Sequence, residues 1–400
     1  MKITKLDTIT VDFYRTNLVI VRLQTDEGIT GVAEATLEGQ ELAVQGAVAL
    51  LSDAVKGKDP TRISQTIYEL GRDAYWRGGP VTMTALSALE MAMWDVSARA
   101  LNVPVHKMLG GTYRDRVRAY ANGWFSGAQT PEHFAEAAVA TVKSGFRGLK
   151  WDPFEAADLT LETRDLDRMI ECIAAVREAV GDEVDLFIEG HGRFNVPTAI
   201  RVAKKLEQFN PIFFEEPCPP DSIDALVEVR SKSPIPIAAG ERWFGRQGFV
   251  PALARGAVDY VQPDVTHAGG LLELSFISTL AANYYVPFAP HNPSGPLSTA
   301  ATLQLGATLP NFRYLEIMAT DVPWRTEISN ENLTLTPEGD VLIPEGIGLG
   351  IDLDFDAMAE HPYVPHPMRI FSDTIADIRP PDARSYFNRT SPITSSASTR

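Results

Sequence analysis

The sequence is short of cysteine, short of positive charge and free of long apolar runs, and each shortage removes a class of protein. Cys172 and Cys218 are the only cysteines in 400 residues. Two thiols build neither a disulfide framework nor a thiolate zinc site, so both are expected to be reduced residues of a cytoplasmic protein. Lys and Arg number 36 against 52 Asp and Glu, a formal net charge of −16. Nucleic acid and anionic membranes need a basic footprint, so neither is an expected partner. An anionic small molecule still fits where a metal ion, Lys or Arg makes the site locally positive. No stretch approaches the ~18 apolar residues of a membrane span. The N-terminal Met-Lys-Ile-Thr-Lys-Leu-Asp-Thr lacks an apolar signal core, and a soluble intracellular chain is expected. No Gly-x-Gly-x-x-Gly or P-loop sequence opens a helix, which leaves nucleotide binding without support.

The remaining residues show two patterns. The hydrophobic fraction of 44% and charged fraction of 22% are ordinary for a globular protein. Ile9–Phe13, Asn17–Thr25 and Gly31–Ala35 predict a small antiparallel meander, with Asp26-Glu27-Gly28 as one turn. Ala85–Leu101, apolar on most sides, predicts a buried helix. Residues 1–118 thus read as an α+β unit. Short apolar runs then alternate with helical segments: Ala119–Trp124, Gly148–Asp152, Asp185–His191, Pro211–Pro217, Pro236–Glu241, Tyr260–Asp264, Val286–Asn292 and Tyr314–Ile317. Such alternation means a parallel sheet covered by helices. Eight strands in about 200 residues favour a closed TIM-like barrel. The fold class is therefore α/β, a (β/α)7β barrel over 119–320 with an N-terminal α+β capping domain. Residues 321–384 are expected to pack back on the cap, and 385–400, rich in Ser and Thr, to form a flexible tail.

The strand ends carry the chemistry. They supply Lys150 and Asp152, Glu189 and His191, Glu215, Glu241, Asp264, His291 and Glu316 in strand order. In a barrel these converge at the C-terminal face, whereas an open sheet would spread them along an edge. Glu189, Glu215 and Glu241 follow each other at 26-residue intervals. Three converging carboxylates repel unless they take up protons or hold a cation. Oxygen donors alone favour Mg²⁺, with Mn²⁺ as the alternative. Taken singly, each glutamate could equally be paired with a loop Lys or Arg.

Phe213-Phe214-Glu215-Glu216-Pro217 resembles the enolase superfamily, and within it the mandelate racemase subgroup. The resemblance extends to Tyr75-Trp76-Arg77-Gly78-Gly79-Pro80, Trp94-Asp95, Gly240-Glu241-Arg242, Gln262-Pro263-Asp264, Ala268-Gly269-Gly270 and Pro290-His291-Asn292. It implies Glu189, Glu215 and Glu241 as metal ligands, although the first is more often Asp. It also implies abstraction of the proton α to a carboxylate, a weakly acidic proton whose removal needs a divalent cation on the carboxylate. A small-molecule sugar acid is the implied substrate, and a homo-oligomer the expected state.

Of the seven histidines, only His191 and His291 end predicted strands. Asp264, one strand before His291, can fix its tautomer and raise its pKa. The resemblance makes this pair the base dyad. His191 lies two residues after Glu189, so both should face one side of the strand. Galactonate-type dehydratases carry a His at this place, which donates a proton to the departing hydroxyl. The racemase-type second base, a Lys two residues after Lys150, is here Asp152. Dehydration of a galactonate- or gluconate-type aldonate to a 2-keto-3-deoxy acid is thus expected, with a lactone or anhydro-sugar cycloisomerase, or an epimerase, as the alternative. Lys150 either pairs with the substrate carboxylate or forms a rim salt bridge to Asp152 or Glu189. Glu316, in apolar surroundings, is expected neutral and able to donate to that carboxylate. His267 reads as structural. Arg77 either closes over the substrate or anchors its own loop. Specificity is expected in the loops near Tyr14–Asn17 and Trp76–Pro80.

Overall fold

The computed structural model describes residues 1–366 and 378–390. The cap opens with three antiparallel strands, β1 (Ile3–Asp12), β2 (Asn17–Thr25) and β3 (Thr30–Glu34). Helices α1 (Glu41–Val55), α2 (Ile63–Asp73), α3 (Pro80–Leu101) and the short α4 (Val105–Met108) follow. Pro80 starts α3, where a missing N–H costs nothing. The run from Thr84 to Met93 is buried without a break, so α3 is clamped between the cap sheet and the barrel.

The barrel strands are β4 (Arg116–Asn122), β5 (Gly148–Trp151), β6 (Asp185–Glu189), β7 (Phe213–Glu215), β8 (Ile237–Ala239), β9 (Tyr260–Val261) and β10 (Leu315–Met318). β4 to β9 pair in parallel in that order, and β10 pairs in parallel with β4. Helices α5 (Pro131–Lys143), α6 (Thr163–Val180), α7 (Val196–Leu206), α8 (Ile223–Lys232), α9 (Gly245–Ala254), α10 (Gly270–Asn283) and α11 (Pro296–Gly306) lie between them. Thr130, Asn195 and Ser222 cap α5, α7 and α8 through their side chains.

The seventh strand departs from expectation. Val286–Asn292 forms no continuous strand; Phe288 alone bridges Val261 and Phe312. Pro287 and Pro290 have no N–H to give, so the ladder cannot extend. The barrel still closes, with Phe288 N–H donating to Asn311 O at 3.0 Å and Ala289 N–H to Val261 O at 3.0 Å.

An aromatic layer plugs the barrel below its mouth. Tyr120, Phe187, Phe213 and Tyr314 pack together with Ala238 and Ala289. Tyr120 stacks on Phe187 with centroids 4.4 Å apart. A Cβ on Gly148 would meet Tyr120 Cβ at 2.8 Å, so glycine makes room for this plug. Strand side chains alternate, so the residue two further along points to the same interior one layer higher. Phe187, Phe213 and Tyr314 therefore lift Glu189, Glu215 and Glu316 to the C-terminal rim.

After β10 the chain forms β11 (Leu333–Leu335), β12 (Asp340–Leu342), α12 (Phe355–Ala359) and β13 (Phe387–Arg389). β12 runs antiparallel to β4, including Arg116–Arg118, so β4 begins before the expected boundary at 119. The segment also touches the cap: Trp324 Nε1 donates to Asp12 O at 2.8 Å and Asn17 Nδ2 to Val364 O at 2.8 Å. The tail expected from 385 needs correction at its start. Tyr386 is buried, its hydroxyl donating to Met318 O, and β13 pairs with β11. The apolar Tyr386 and Phe387 explain this. Residues 391–400 of the expected tail, and 367–377 of the preceding segment, lie outside the described residues.

Candidate active site

Glu189 and Glu215 end β6 and β7, Lys150 and Glu316 lie within β5 and β10, and the four meet inside the barrel. Lys150 Nζ lies 2.7 Å from Glu215 Oε1, 3.0 Å from Glu189 Oε2 and 3.0 Å from Glu316 Oε1. All four side chains are buried. Burial alone would discharge the ammonium, but Glu215, Glu316 and Glu189 hold its pKa well above the ordinary lysine value. Burial likewise opposes charge on Glu189 and Glu316, yet Lys150 holds both below the usual carboxylate range. This corrects the expectation that Glu316 is neutral: the apolar neighbours in its sequence do not face it, and Lys150 does. Asn122 Nδ2 donates to Glu316 Oε1 at 2.8 Å and Asn292 N–H to Oε2 at 3.1 Å, both of which favour the carboxylate.

Glu215 is different. Burial, then Glu189, push its pKa well up, and Lys150 only partly offsets them. Its Oε2 is buried without a hydrogen-bond partner. Glu189, Glu215 and Glu241 each present an oxygen, all within 4.8 Å of one another. A buried acceptor with no donor, in an all-oxygen cluster where one ammonium faces three carboxylates, fits a divalent cation.

Two His–Asp pairs flank the cluster. His291 Nδ1 lies 2.7 Å from Asp264 Oδ2, and its Nε2 lies 3.5 Å from Glu241 Oε2. Asp264 is fully buried; Thr266 donates to its Oδ1 through N–H at 2.7 Å and Oγ1 at 2.5 Å. Burial lowers the His291 pKa, but Glu241 and Asp264 raise it well above the ordinary value. A cation on the glutamates compensates the Glu241 part of that pull.

His191 Nδ1 lies 2.5 Å from Asp152 Oδ2. Burial opposes its charge, while Glu189 and then Asp152 raise its pKa. It does not sit on the strand beside Glu189, as the two-residue spacing suggested. β6 ends at Glu189, and His191 adopts a left-handed backbone with φ of 48°. Such a conformation in a non-glycine residue costs energy and concentrates at functional sites. Here His191 N–H donates to Glu189 Oε1 at 2.7 Å, which holds the strained turn. Strands three and seven of an eight-stranded barrel face each other, so the two imidazoles approach from opposite sides.

Sequence reasoning missed several members of the site. Asp152 was read as a strand-end residue standing where a second lysine would be and as a possible salt-bridge partner of Lys150; it is the partner of His191. Buried Arg193 donates to the same Asp152 oxygen. Buried Glu216, its pKa pushed up to about 7 first by burial, binds Arg242, whose Nε lies 3.7 Å from Glu241 Oε1. The signal for Asp152 was present, since it stands two residues after Lys150. Arg77 is exposed and lines a cavity of about 560 Å³ between α2–α3 and α9–α10 that shares no strand-end residue. In the Tyr14–Asn17 loop, burial pushes the Arg15 guanidinium down, against the pull of Glu38 and Asp152. Trp76 is 85% exposed.

A capped (β/α)7β barrel with an acidic cation centre between two His–Asp pairs defines a class of enzymes that move protons next to carboxylates. The chain belongs to the mandelate racemase / muconate lactonizing enzyme family of the enolase superfamily: that family's N-terminal domain profile matches residues 5–110, and the enolase C-terminal domain-like profile matches 133–357. It is 35% identical to a D-gluconate dehydratase of Thermoproteus tenax over 363 residues, covering 90% of this chain and 73% of that one. It is 37% identical to a D-galactonate dehydratase of Pectobacterium atrosepticum over 307 residues, 76% of this chain and 78% of that one. An enolase superfamily member from Salmonella Typhimurium superposes with a TM-score of 0.85 at 30% identity, covering 90% of this chain and 98% of that one. A mandelate racemase/muconate lactonizing enzyme from Jannaschia sp. CCS1 gives 0.85 at 32% identity, covering 93% and 100%. Among the described residues no helix is long and apolar enough to cross a membrane.

Proposed function

We propose that this protein is a Mg²⁺-dependent sugar-acid dehydratase that converts a gluconate- or galactonate-type aldonate to its 2-keto-3-deoxy acid. The observation that carries this reading is the His191–Asp152 pair facing the His291–Asp264 pair across the carboxylates. The names of the relatives, D-gluconate and D-galactonate dehydratase, support the substrate class.

Glu189, Glu215 and Glu241 would hold the cation, and when bound it supplies charge to offset that developing on the substrate carboxylate. Asp264 accepts the Nδ1 proton of His291, which leaves Nε2 to take the C2 proton. Glu189, then Asp152, raise the His191 pKa against burial, so it can give a proton to the C3 hydroxyl as that C–O bond breaks. The products are water and an enol, which becomes the 2-keto acid. Lys150 fixes the positions of Glu316 and Glu215 where the substrate carboxylate would lie, and holds Glu316 below the usual carboxylate range. Burial pushes the Cys172 and Cys218 thiols up to about 11 and about 12, so both are protonated and unreactive at neutral pH. We further propose that the enzyme is a homo-oligomer.

The test is to incubate the Mg²⁺-loaded protein with a panel of mono- and diacid sugars and assay 2-keto acids. Release of a 2-keto-3-deoxy acid is expected. Formation of an epimer or a ring-opened isomer only, with no water lost, rejects dehydration.

A further inference from the structure

The Ala268-Gly269-Gly270 turn has a partner in the cap that the chemistry above does not use. Thr84, Ser87 and Glu90 recur at three-residue intervals on α3 and form one face. Thr84 Oγ1 shares a hydrogen bond with His267 Nδ1 at 3.0 Å. Ser87 Oγ accepts from Gly269 N–H at 2.9 Å. Glu90 accepts from Leu271 and Leu272 N–H at 2.8 and 2.9 Å and from Trp94 Nε1 at 2.6 Å. The approach is close: Gly270 has φ of 84°, and a Cβ there would meet Glu90 Oε2 at 2.2 Å. Glycine is required on both counts.

This turn begins at Asp264, the partner of His291. His267 N–H and Ala268 N–H both donate to the Asp264 carbonyl, at 3.2 and 2.8 Å. His267 Nε2 lies 3.8 Å from Asp264 Oδ2, the same oxygen that accepts from His291 Nδ1. Thr266 occupies the other oxygen, Oδ1. The Asp264 carboxylate is thus fixed by Thr266 on one side and bordered by two imidazoles on the other, and one imidazole is held from the cap. Thr84, His267 and Asp264 are all buried.

We propose that Thr84 and His267 are positioning residues through which capping helix α3 sets the orientation of the Asp264–His291 pair. Neither contacts the three glutamates, so they act through Asp264. The inference rests on the reading of His291 as the base. A misplacement of about 1 Å in a catalytic group can cost on the order of 10²-fold in rate.

Thr84→Val keeps the shape and deletes the hydroxyl. The expected result is a fall of about tenfold or more in kcat and in exchange of the substrate α-proton with solvent deuterium, with KM within about twofold. Thr84→Ser, which restores a hydroxyl, should bring both rates back to within about twofold of wild type. Ser87→Ala, which loosens the same turn without touching His267, should leave kcat within about twofold. Unchanged kcat in Thr84→Val, or an equal loss in Ser87→Ala, overturns the proposal. A second arm needs no substrate: in protein labelled with ¹⁵N-histidine, the His291 Nδ1 proton should resonate downfield in wild type and Thr84→Ser and broaden in Thr84→Val. Identical spectra in all three also overturn it. If wild type dehydrates none of the acids, the spectra still decide, so failure of the dehydratase reading and failure of this proposal are separate results.

Discussion

Replacing Lys150 by Met tests the electrostatics of the whole site. Met is about as long and needs no partner, so it fills the space without a cavity. It leaves Glu189, Glu215 and Glu316, none more than 2% exposed, without the ammonium that lay 2.7–3.0 Å from each. Breaking a buried ion pair by removing one partner costs about 3–5 kcal/mol. Against a total of about 5–15 kcal/mol for a folded domain, that is a large share. The metal-free variant should therefore unfold at much lower urea than wild type, followed by the fluorescence of the six tryptophans. Two further outcomes separate electrostatics from packing. Mg²⁺ should stabilise the variant more than wild type, because a cation now replaces the lost charge; about 2.7 kcal/mol is expected at 100 times the Kd. The deficit should also shrink as pH falls. In wild type, Lys150 holds Glu189 and Glu316 below the ordinary range. Depressed carboxyls contribute stability above the unfolded pKa and lose it as pH falls through the folded one. Without Lys150 burial dominates and those pKa values rise, so protonation relieves the variant while it weakens wild type. A metal-free variant as stable as wild type at neutral pH refutes this account.

Other perturbations isolate single groups. Chelation should abolish activity, Mg²⁺ should restore it, and Glu215→Gln should bind the metal far more weakly, as calorimetry will show; full activity of that variant without added metal rejects the ligand assignment. His191→Asn should still exchange the substrate α-proton with solvent deuterium but not dehydrate, whereas His291→Asn should do neither; exchange lost only in the His191 variant would reverse the roles. Asp152→Asn should lower kcat for dehydration more than it lowers exchange, because it releases His191; equal losses in both rates argue against that role. Glu90 is raised, by burial, from 4.5 to about 7. A raised carboxyl contributes stability that is present below its unfolded pKa and lost as pH rises through its folded one, here about 3 kcal/mol between pH 4.5 and 7. Glu90→Gln should flatten that slope in urea unfolding, and an unaltered slope counts against it.

The parts of the fold that follow from periodicity were legible in the sequence. Continuous apolar runs located the barrel strands and put Glu189 and Glu215 at the ends of two neighbouring ones. What periodicity does not encode was missed. The proline-broken bridge at Phe288 kept the apolar run but lost the ladder. Glu316 was expected neutral because its neighbours along the chain are apolar, whereas its charge state is set by Lys150 across the barrel. His191 was expected on the strand, because a left-handed residue at a strand end leaves no mark in hydrophobic spacing. The cap's hold on the Asp264 turn was out of reach for the same reason: Thr84 and His267 are 183 residues apart.

Asp152 shows why dehydration and a lysine second base are competing designs at this rim. Its Oδ2 serves His191 and Arg193 together, and its Oδ1 accepts from Phe154 N–H at 2.8 Å. A lysine in its place would face the buried Arg193 guanidinium, with like charges in contact and no carboxylate between them. It would also release the His191 ring, whose left-handed backbone is useful only if the imidazole is then aimed. The residue that removes the second base is thus the one that orients the acid. Arg193 shares the Asp152 oxygen with His191, and Glu189, then Asp152, raise the imidazole pKa against burial. On the proposed reading the His191 imidazole gives its proton to the departing hydroxyl, and His291, its Nδ1 held by Asp264, takes the C2 proton. On that reading the site removes a proton on one face and releases a hydroxyl on the other.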